Sequence, residues 1–475
     1  MHLGKKTNIV CTIGPVTESV DQLASLLKAG MNVMRLNFSH GDFAEHQKKI
    51  DNLKKAIAKT GIPAATFQDL GGPKIRTGEF DTESGRVTIK KGQQFILTTK
   101  LIKGDENRVY INYDKLPKEA KVGDRIMLDD GKKQLKVEKI QGTEIYTKVI
   151  AGGELKGRRG VNLPDTDLSI SSLTPKDKKD IEFGLKNKVD YFALSFVRRP
   201  SDVQELRAIL TKAKSKAGII SKIETPQALE AIDEIIELSD AIMVARGDLA
   251  VEIPAEEVPL AQKMMIRKCN EVGKPVITAT QMLESMIKSP VPTRAEVSDV
   301  ANAILDGTDA VMLSEETTLG DYPVEAVSVM TRVALQVEKD LLHKQLLISS
   351  SDKEEKGIGE SICSSAVKTA SRVGAKYIVS LTNSGKGARM MSRHRGDKSI
   401  LVFTPNEVTS RQTNLSFGCY PFLIKHFKTI NEAFEVIRTN IIKEKIVSKG
   451  DKIVVVTGVP FGKAGQSNVL FVDTI

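Results

Sequence analysis

At 475 residues the chain is too long for one hydrophobic core, and at roughly 150 residues per domain it divides into about three. With 40% apolar and 27% charged residues it is an ordinary folding composition, which excludes wholesale disorder, and no run approaches the ~18 uninterrupted apolar residues of a membrane helix. A net charge of +10 calls for anionic partners, but 5% aromatics, no Trp and no long basic run argue against nucleic acid and for small phosphorylated ligands. The opening MHLGKKTNIV carries no apolar signal segment, and Cys11, Cys269, Cys363 and Cys419 form no CxxC pair, so a reduced, cytoplasmic protein is expected.

From the N-terminus, short β-branched runs alternate with helical patterns. Strands are predicted over Thr7 to Ile13, Asn32 to Asn37 and Ala64 to Gln68, with helices over Val20 to Ala29 and Ala44 to Lys59. Between about Pro73 and Ser172 the pattern becomes alternating strands punctuated by Gly and Asp, as in GRVTIKKGQQFILTT, which reads as an inserted all-β domain. The β/α rhythm then resumes with strands over Tyr191 to Phe196, Gly218 to Ile223, Ala241 to Ala245, Pro275 to Thr280 and Asp309 to Leu313. Three strands before the insertion and five after it complete a (β/α)8 barrel. Past Lys339 the polar SSSDKEEKG reads as a linker, and YIVSLT, ILVFT, FLI, IVVVTG and VLFV form a further, smaller sheet. The expected fold class is therefore α/β: a TIM (β/α)8 barrel (1–72 and 173–339) with an inserted β lid (73–172) and a C-terminal α/β domain (340–475).

A TIM barrel builds its active site where strands end, and these strand ends are polar. Strand two delivers Arg35, Asn37 and Ser39; strand three, Asp69; strand five, Lys222 and Glu224; strand six, Asp248; strand seven, Thr280; strand eight, Ser314 and Glu316. Any one such residue is as readily a cap or a structural ion pair; so many at one rim are not plausibly structural. Glu224 and Asp248 offer hard oxygen ligands for Mg²⁺ with positions left open for substrate. Lys222, two residues from Glu224, projects to the same side of its strand, where a cation suits a migrating phosphoryl group. Arg35 and Arg76 can grip phosphate, and the Gly247 amide can approach a small carboxylate closely.

The motifs KTNIVCTIGP, NVMRLNFSHG, GPKIRTG, GVNLP, SKIET, VARGDLAVEIP, ITATQMLESM and PTRAEVSDVANAILDGTDAVMLS together resemble the pyruvate kinase family in order and spacing. The resemblance implies transfer of the phosphoryl group of phosphoenolpyruvate to ADP, giving pyruvate and ATP. It implies Glu224 and Asp248 as Mg²⁺ ligands, Lys222 as stabiliser of the transferring group, and Arg35 on the substrate phosphate. Gly247, Asp248 and Thr280 would hold the carboxylate, and Asn37, Arg76 and Arg159 the nucleotide. Thr280, or a water near Ser314 and Glu316, would protonate the enolpyruvate. It further implies a homotetramer and a phosphorylated allosteric effector, bound at Thr382, Asn383, Ser384, Gly385 and Lys386 and at the loop from Thr457 to Gly465.

The chain departs from the family where many members, which need K⁺, read Asp-Thr-Lys-Gly-Pro-Glu; here stand Asp69, Leu70, Gly71, Gly72, Pro73 and Lys74. A fixed ammonium at Lys74 would replace the alkali ion otherwise held near Asn37, Ser39, Asp69 and Leu70, so K⁺ is expected to be dispensable. Ala250 and Glu315 stand where glycine is usual. Two rival readings are a magnesium-dependent pyruvate or enolpyruvate lyase on the same barrel, which has no use for a lid, and a non-catalytic phosphometabolite-binding protein, which leaves the rim residues unexplained.

Overall fold

The structure, a computed structural model, describes residues 4–344, 357–426, 429–460 and 466–475. Eight parallel strands close a barrel: Asn8–Thr12, Val33–Asn37, Ala65–Asp69, Tyr191–Val197, Gly218–Ile223, Ala241–Ala245, Val276–Ala279 and Ala310–Leu313, each beside its neighbours in sequence order and the last beside the first. The two-residue period of a strand sorts their side chains. Val10, Val33, Phe67, Ile220, Met243 and Met312 fill the barrel, while Ile9, Cys11, Met34 and Leu36 pack outward against the helices. Because all strands run one way, their C-terminal ends share one mouth.

Local signals fix the helix starts. Ser19 and Asp42 cap the helices Val20–Ala29 and Phe43–Thr60 by accepting from Gln22 and Glu45 amides, and capping boxes join Thr174 to Asp177 and Thr293 to Glu296. Ala250 and Glu315 lie in the helices Arg246–Glu252 and Glu315–Thr318, and neither has a positive φ, so the missing glycines impose no backbone strain.

The insertion lies between the third and fourth barrel strands. It holds a six-stranded sheet and a two-stranded ribbon, Arg86–Ile89 with Gly153–Lys156, around its own apolar core of Phe95, Ile126, Leu135 and Val149. The C-terminal sheet runs Cys419–Leu423, Ile400–Thr404, Tyr377–Leu381, Lys452–Thr457, Val469–Thr474, parallel but for the last strand, with apolar cores on both faces. It docks on the barrel floor: Arg395 pairs with Asp309 at 2.8 Å and Arg411 with Asp190 at 2.8 Å, both carboxylates lying just before barrel strands. The helix Pro323–Lys344 passes residue 340 unbroken; all of the expected linker but Gly357 falls outside the described residues. Among the described residues no helix is long and apolar enough to cross a membrane.

Candidate active site

The barrel mouth concentrates charge around Lys222. Its ammonium lies 2.8 Å from Glu224 Oε1 and 3.3 Å from Asp69 Oδ1, and donates to Ser195 Oγ at 2.7 Å. Asp69 is held from its other side by Arg35, with Nη2 at 2.6 Å and Nε at 2.8 Å from Oδ2, and Arg35 Nη1 donates to Thr12 Oγ1. Burial alone would raise the Asp69 carboxyl, but the Lys222 and Arg35 charges outweigh it and hold it below the usual range. Burial would likewise lower the Lys222 ammonium, yet Asp69, Glu224 and Asp248 hold it well above its ordinary value. Lys222 thus stays charged in a site with little water, where a cation acts most strongly on a passing phosphoryl group.

Glu224 is 1% exposed, and burial pushes its carboxyl up against the opposing pull of Lys222. Its Oε2 accepts from the Phe196 amide at 2.7 Å. Phe196 reaches it through an irregular register in the fourth strand, where its φ of 53° turns the amide toward the mouth. A second strained stretch is Thr280 and Gln281, with φ of 70° and 54°. β-Branched residues rarely take this region, and such outliers gather at functional sites. Thr280 Oγ1 accepts from the Gly247 amide at 2.8 Å, so the amide assigned to a carboxylate is occupied by the hydroxyl assigned to the same group. Arg246 braces this loop, donating to the Thr280 carbonyl and pairing with both oxygens of Asp299 at 2.7 Å.

Glu316 is buried with both oxygens committed, Oε2 accepting from Ser314 N at 2.7 Å and Oε1 from Leu283 N at 3.1 Å. It fixes the Ser314 turn against the seventh-strand loop. The Leu70 carbonyl accepts from Ser195 Oγ at 2.8 Å, and Asn37 Oδ1 from Ser39 N at 3.1 Å. Lys74 Nζ donates to Ser39 Oγ at 2.9 Å, among the residues assigned to an alkali ion. Burial, then Arg76 and Lys222, lower its ordinary pKa, while Asp248 and Asp69 work the other way.

Between lid and barrel lies a cleft of about 280 Å³ lined on one side by Lys74, Arg76, Arg159 and Asn162 and on the other by Phe196, Arg198, Asp248 and Glu252. Arg159 is steered by Asp129, 3.4 Å away, and Arg76 is bridged to Gly160 in the lid. Asp248 is exposed on the cleft wall, close enough to Glu224 and Lys222 to act on the ionisation of both. Among the described residues no three His, Cys, Asp or Glu side chains gather as a metal cage. Asp248 on the cleft wall and the buried Glu224 near it offer the one or two protein carboxylates that Mg²⁺ takes, the rest of its shell coming from substrate and water.

Residues 4–327 match the pyruvate kinase barrel domain and residues 360–472 the pyruvate kinase alpha/beta domain. The chain belongs to the pyruvate kinase family. It is 45% identical over 474 residues to the pyruvate kinase of Geobacillus stearothermophilus and 46% identical over 474 residues to that of Bacillus licheniformis, in each case covering 99% of this chain and 80% of the relative. A crystal structure of a pyruvate kinase from Cryptosporidium parvum superposes with a TM-score of 0.93 at 37% identity, covering 99% of this chain and 96% of that one.

Against this pyruvate kinase frame, sequence reasoning missed Thr12, Ser195, Phe196, Asn162, Arg198 and Glu252. Ser195 had a readable signal, a polar residue inside the apolar run YFALSFV. The Phe196 amide had none, because a backbone group shows no residue type. In the C-terminal domain the Gly385 amide donates to Thr382 Oγ1 at 3.0 Å, Arg389 Nη2 to the Ser384 carbonyl at 3.3 Å and Thr409 Oγ1 to the Asn383 carbonyl at 2.8 Å, leaving Lys386 exposed. The companion loop from Thr457 falls outside the described residues over 461–465.

Proposed function

We propose that the cleft between barrel mouth and lid is where this chain carries out the reaction of its family, transferring the phosphoryl group of phosphoenolpyruvate to ADP to give pyruvate and ATP. The observation that carries the assignment is the half-buried Lys222 ammonium, ringed by Glu224, Asp69 and Ser195 within 3.3 Å beneath a cleft lined with Arg76 and Arg159. Arg35 takes the substrate phosphate, and Lys222 meets the charge that builds on the equatorial oxygens as the bond from phosphorus to the enol oxygen breaks and one to an ADP oxygen forms. Gly247, Asp248 and Thr280 hold the carboxylate, with the Thr280 hydroxyl exchanging its present amide partner for substrate. Thr280, or a water near Ser314 and Glu316, delivers the proton to the enol carbon. Glu316 serves there by position alone, since both its oxygens are taken by amides. Asn37, Arg76 and Arg159 hold the nucleotide, and the lid excludes water so that ADP takes the phosphoryl group.

Glu224 and Asp248 would hold Mg²⁺, which would supply neutralisation of the phosphate charge. Lys74 stands in for the monovalent cation, because its ammonium already occupies Ser39. We assign the barrel to 1–72 and 173–339, the lid to 73–172 and the C-terminal effector domain to 340–475, with a phosphorylated effector at Thr382 to Lys386 and a homotetrameric assembly. A cytoplasmic location fits four cysteines that are all free and buried. The test is pyruvate formation from phosphoenolpyruvate with and without ADP. Pyruvate that appears only with ADP, matched by ATP, is the expected result; pyruvate without ADP points to a lyase or phosphatase, and none in either case to a binding protein.

A further inference from the structure

Besides the contacts of Lys74 with Ser39 and of Ser172 with the Phe196 carbonyl at the hinge, the described residues join lid to barrel at three further polar points. Two are exposed: Arg199 with Asp167, and Ser171 with Glu205. The third is half-buried and spans the cleft: Asn162 Nδ2 in the lid strand Val161–Asn162 donates at 2.8 Å to Glu252 Oε1, whose residue is 8% exposed at the end of the barrel helix Arg246–Glu252. The same helix end meets the lid a second time, because a Cβ on Gly131 would lie 3.4 Å from Val251 Cγ1. The groups acting on Glu252 come from both bodies: Arg198 and Asp248 from the barrel, Asp165 and Arg125 from the lid. Arg198, 7% exposed on the cleft wall, has no hydrogen-bond partner for Nη1 and so leaves Asn162 as the group that fixes the carboxylate.

We propose that Glu252 is the barrel-side catch of the lid, a positioning residue that holds the lid closed through Asn162 and thereby sets nucleotide affinity. This rests on the reading that the cleft binds nucleotide through Arg76 and Arg159. Arg159 lies three residues before Asn162, so a catch at Asn162 holds it over the cleft. Affinity for a ligand gripped by the closed form scales with the closed fraction. Phosphoenolpyruvate, held by Arg35 and Lys222 on the barrel, does not depend on that fraction in the same way. The catch therefore separates the two substrates.

The experiment is steady-state kinetics of the full chain carrying Asn162→Ala, Glu252→Ala, both together, and Glu252→Gln, with thermal melting of each. Each alanine variant is expected to raise KM for ADP about tenfold, equivalent to about 1.4 kcal/mol, with KM for phosphoenolpyruvate within about twofold. The double variant should be no worse than the worse single one, since both break the same bond. Glu252→Gln, which keeps an acceptor for Asn162, should recover most of the loss. Additive losses, an equal rise in both KM values, or melting changes with KM for ADP unmoved would each overturn the proposal. Should the alanine variants fail to fold, Asn162→Asp, which sets two carboxylates against each other, must raise KM for ADP, and adding Glu252→Gln must relieve it; no rise, or no relief, overturns the proposal. Wild-type enzyme inactive with phosphoenolpyruvate and ADP would instead sink the underlying reading of the cleft.

Discussion

Replacing Lys222 by Met keeps the length of the side chain and removes its charge. The structure shows where the loss falls. Asp69 retains Arg35 at 2.6 Å and 2.8 Å, whereas Glu224, 1% exposed, is left with the Phe196 amide alone. Breaking a buried pair in this way costs roughly 3–5 kcal/mol unless the stranded group takes up a proton. Burial already pushes the Glu224 carboxyl up, so without the ammonium it binds a proton at higher pH still. The native form then carries a proton that the unfolded chain lacks above its ordinary carboxyl range, and the variant's stability falls as pH rises through that window. For catalysis, removing a cation from the transferring group costs on the order of 10³-fold in kcat, by analogy with other phosphoryl transfers. We expect kcat to drop by at least that factor while KM for phosphoenolpyruvate moves far less, since Arg35, the residue proposed for the phosphate, is left in place. Pyruvate formation at saturating ADP and Mg²⁺, with melting curves between pH 5 and 8, reads both effects. A variant keeping more than about a tenth of wild-type kcat would refute the role given to Lys222.

Glu224→Gln and Asp248→Asn should each lower the rate and move the Mg²⁺ titration to higher concentration; an unmoved titration in both places the metal elsewhere. Wild-type activity in tetramethylammonium buffer should rise less than about twofold on adding K⁺, and Lys74→Glu, which puts a carboxylate beside Ser39, should create a K⁺ requirement of at least about tenfold. A tenfold K⁺ activation of the wild type sinks the substitution argument. Saturation by phosphoenolpyruvate should respond to at least one member of a panel of sugar phosphates and nucleotides, and Lys386→Ala together with Ser384→Ala should abolish that response; a curve unmoved by the whole panel makes Thr382 to Lys386 an ordinary turn. Burial raises Glu252 to about 7 from 4.5, so the native state holds a proton there that the unfolded state has lost, and its contribution to stability falls by up to ~3 kcal/mol as pH rises from 4.5 to above 7. Glu252→Gln should flatten that slope in melting curves; an unchanged slope places the titration elsewhere.

Periodicity and strand-end chemistry made most of this molecule legible. Eight β-branched runs each followed by a helical pattern became eight barrel strands within about a residue of the expected limits, because buried parallel strands leave an uninterrupted apolar signature. The alternation between Pro73 and Ser172 became the lid for the complementary reason, one face of each strand being wet. At the mouth, Arg35, Asp69, Lys222 and Glu224 meet because a strand end is a fixed point on a closed barrel, so sequence position translates into position on the rim. What stayed hidden was contributed by backbone or by contacts between bodies. The Phe196 amide reaches Glu224 through a local irregularity that no residue type announces, and Asn162 and Glu252, 90 positions apart, meet only because the lid folds back over the mouth. The Gly247 amide, marked by its glycine as open to close approach, donates here to the Thr280 hydroxyl. On the proposed carboxylate site, that pairing carries its own consequence, since the substrate would displace a hydrogen bond held by a residue at φ 70°. A strained loop parts with such a bond at less cost than a relaxed one, which is a physical reason for a β-branched residue to sit in left-handed backbone at this point of the rim.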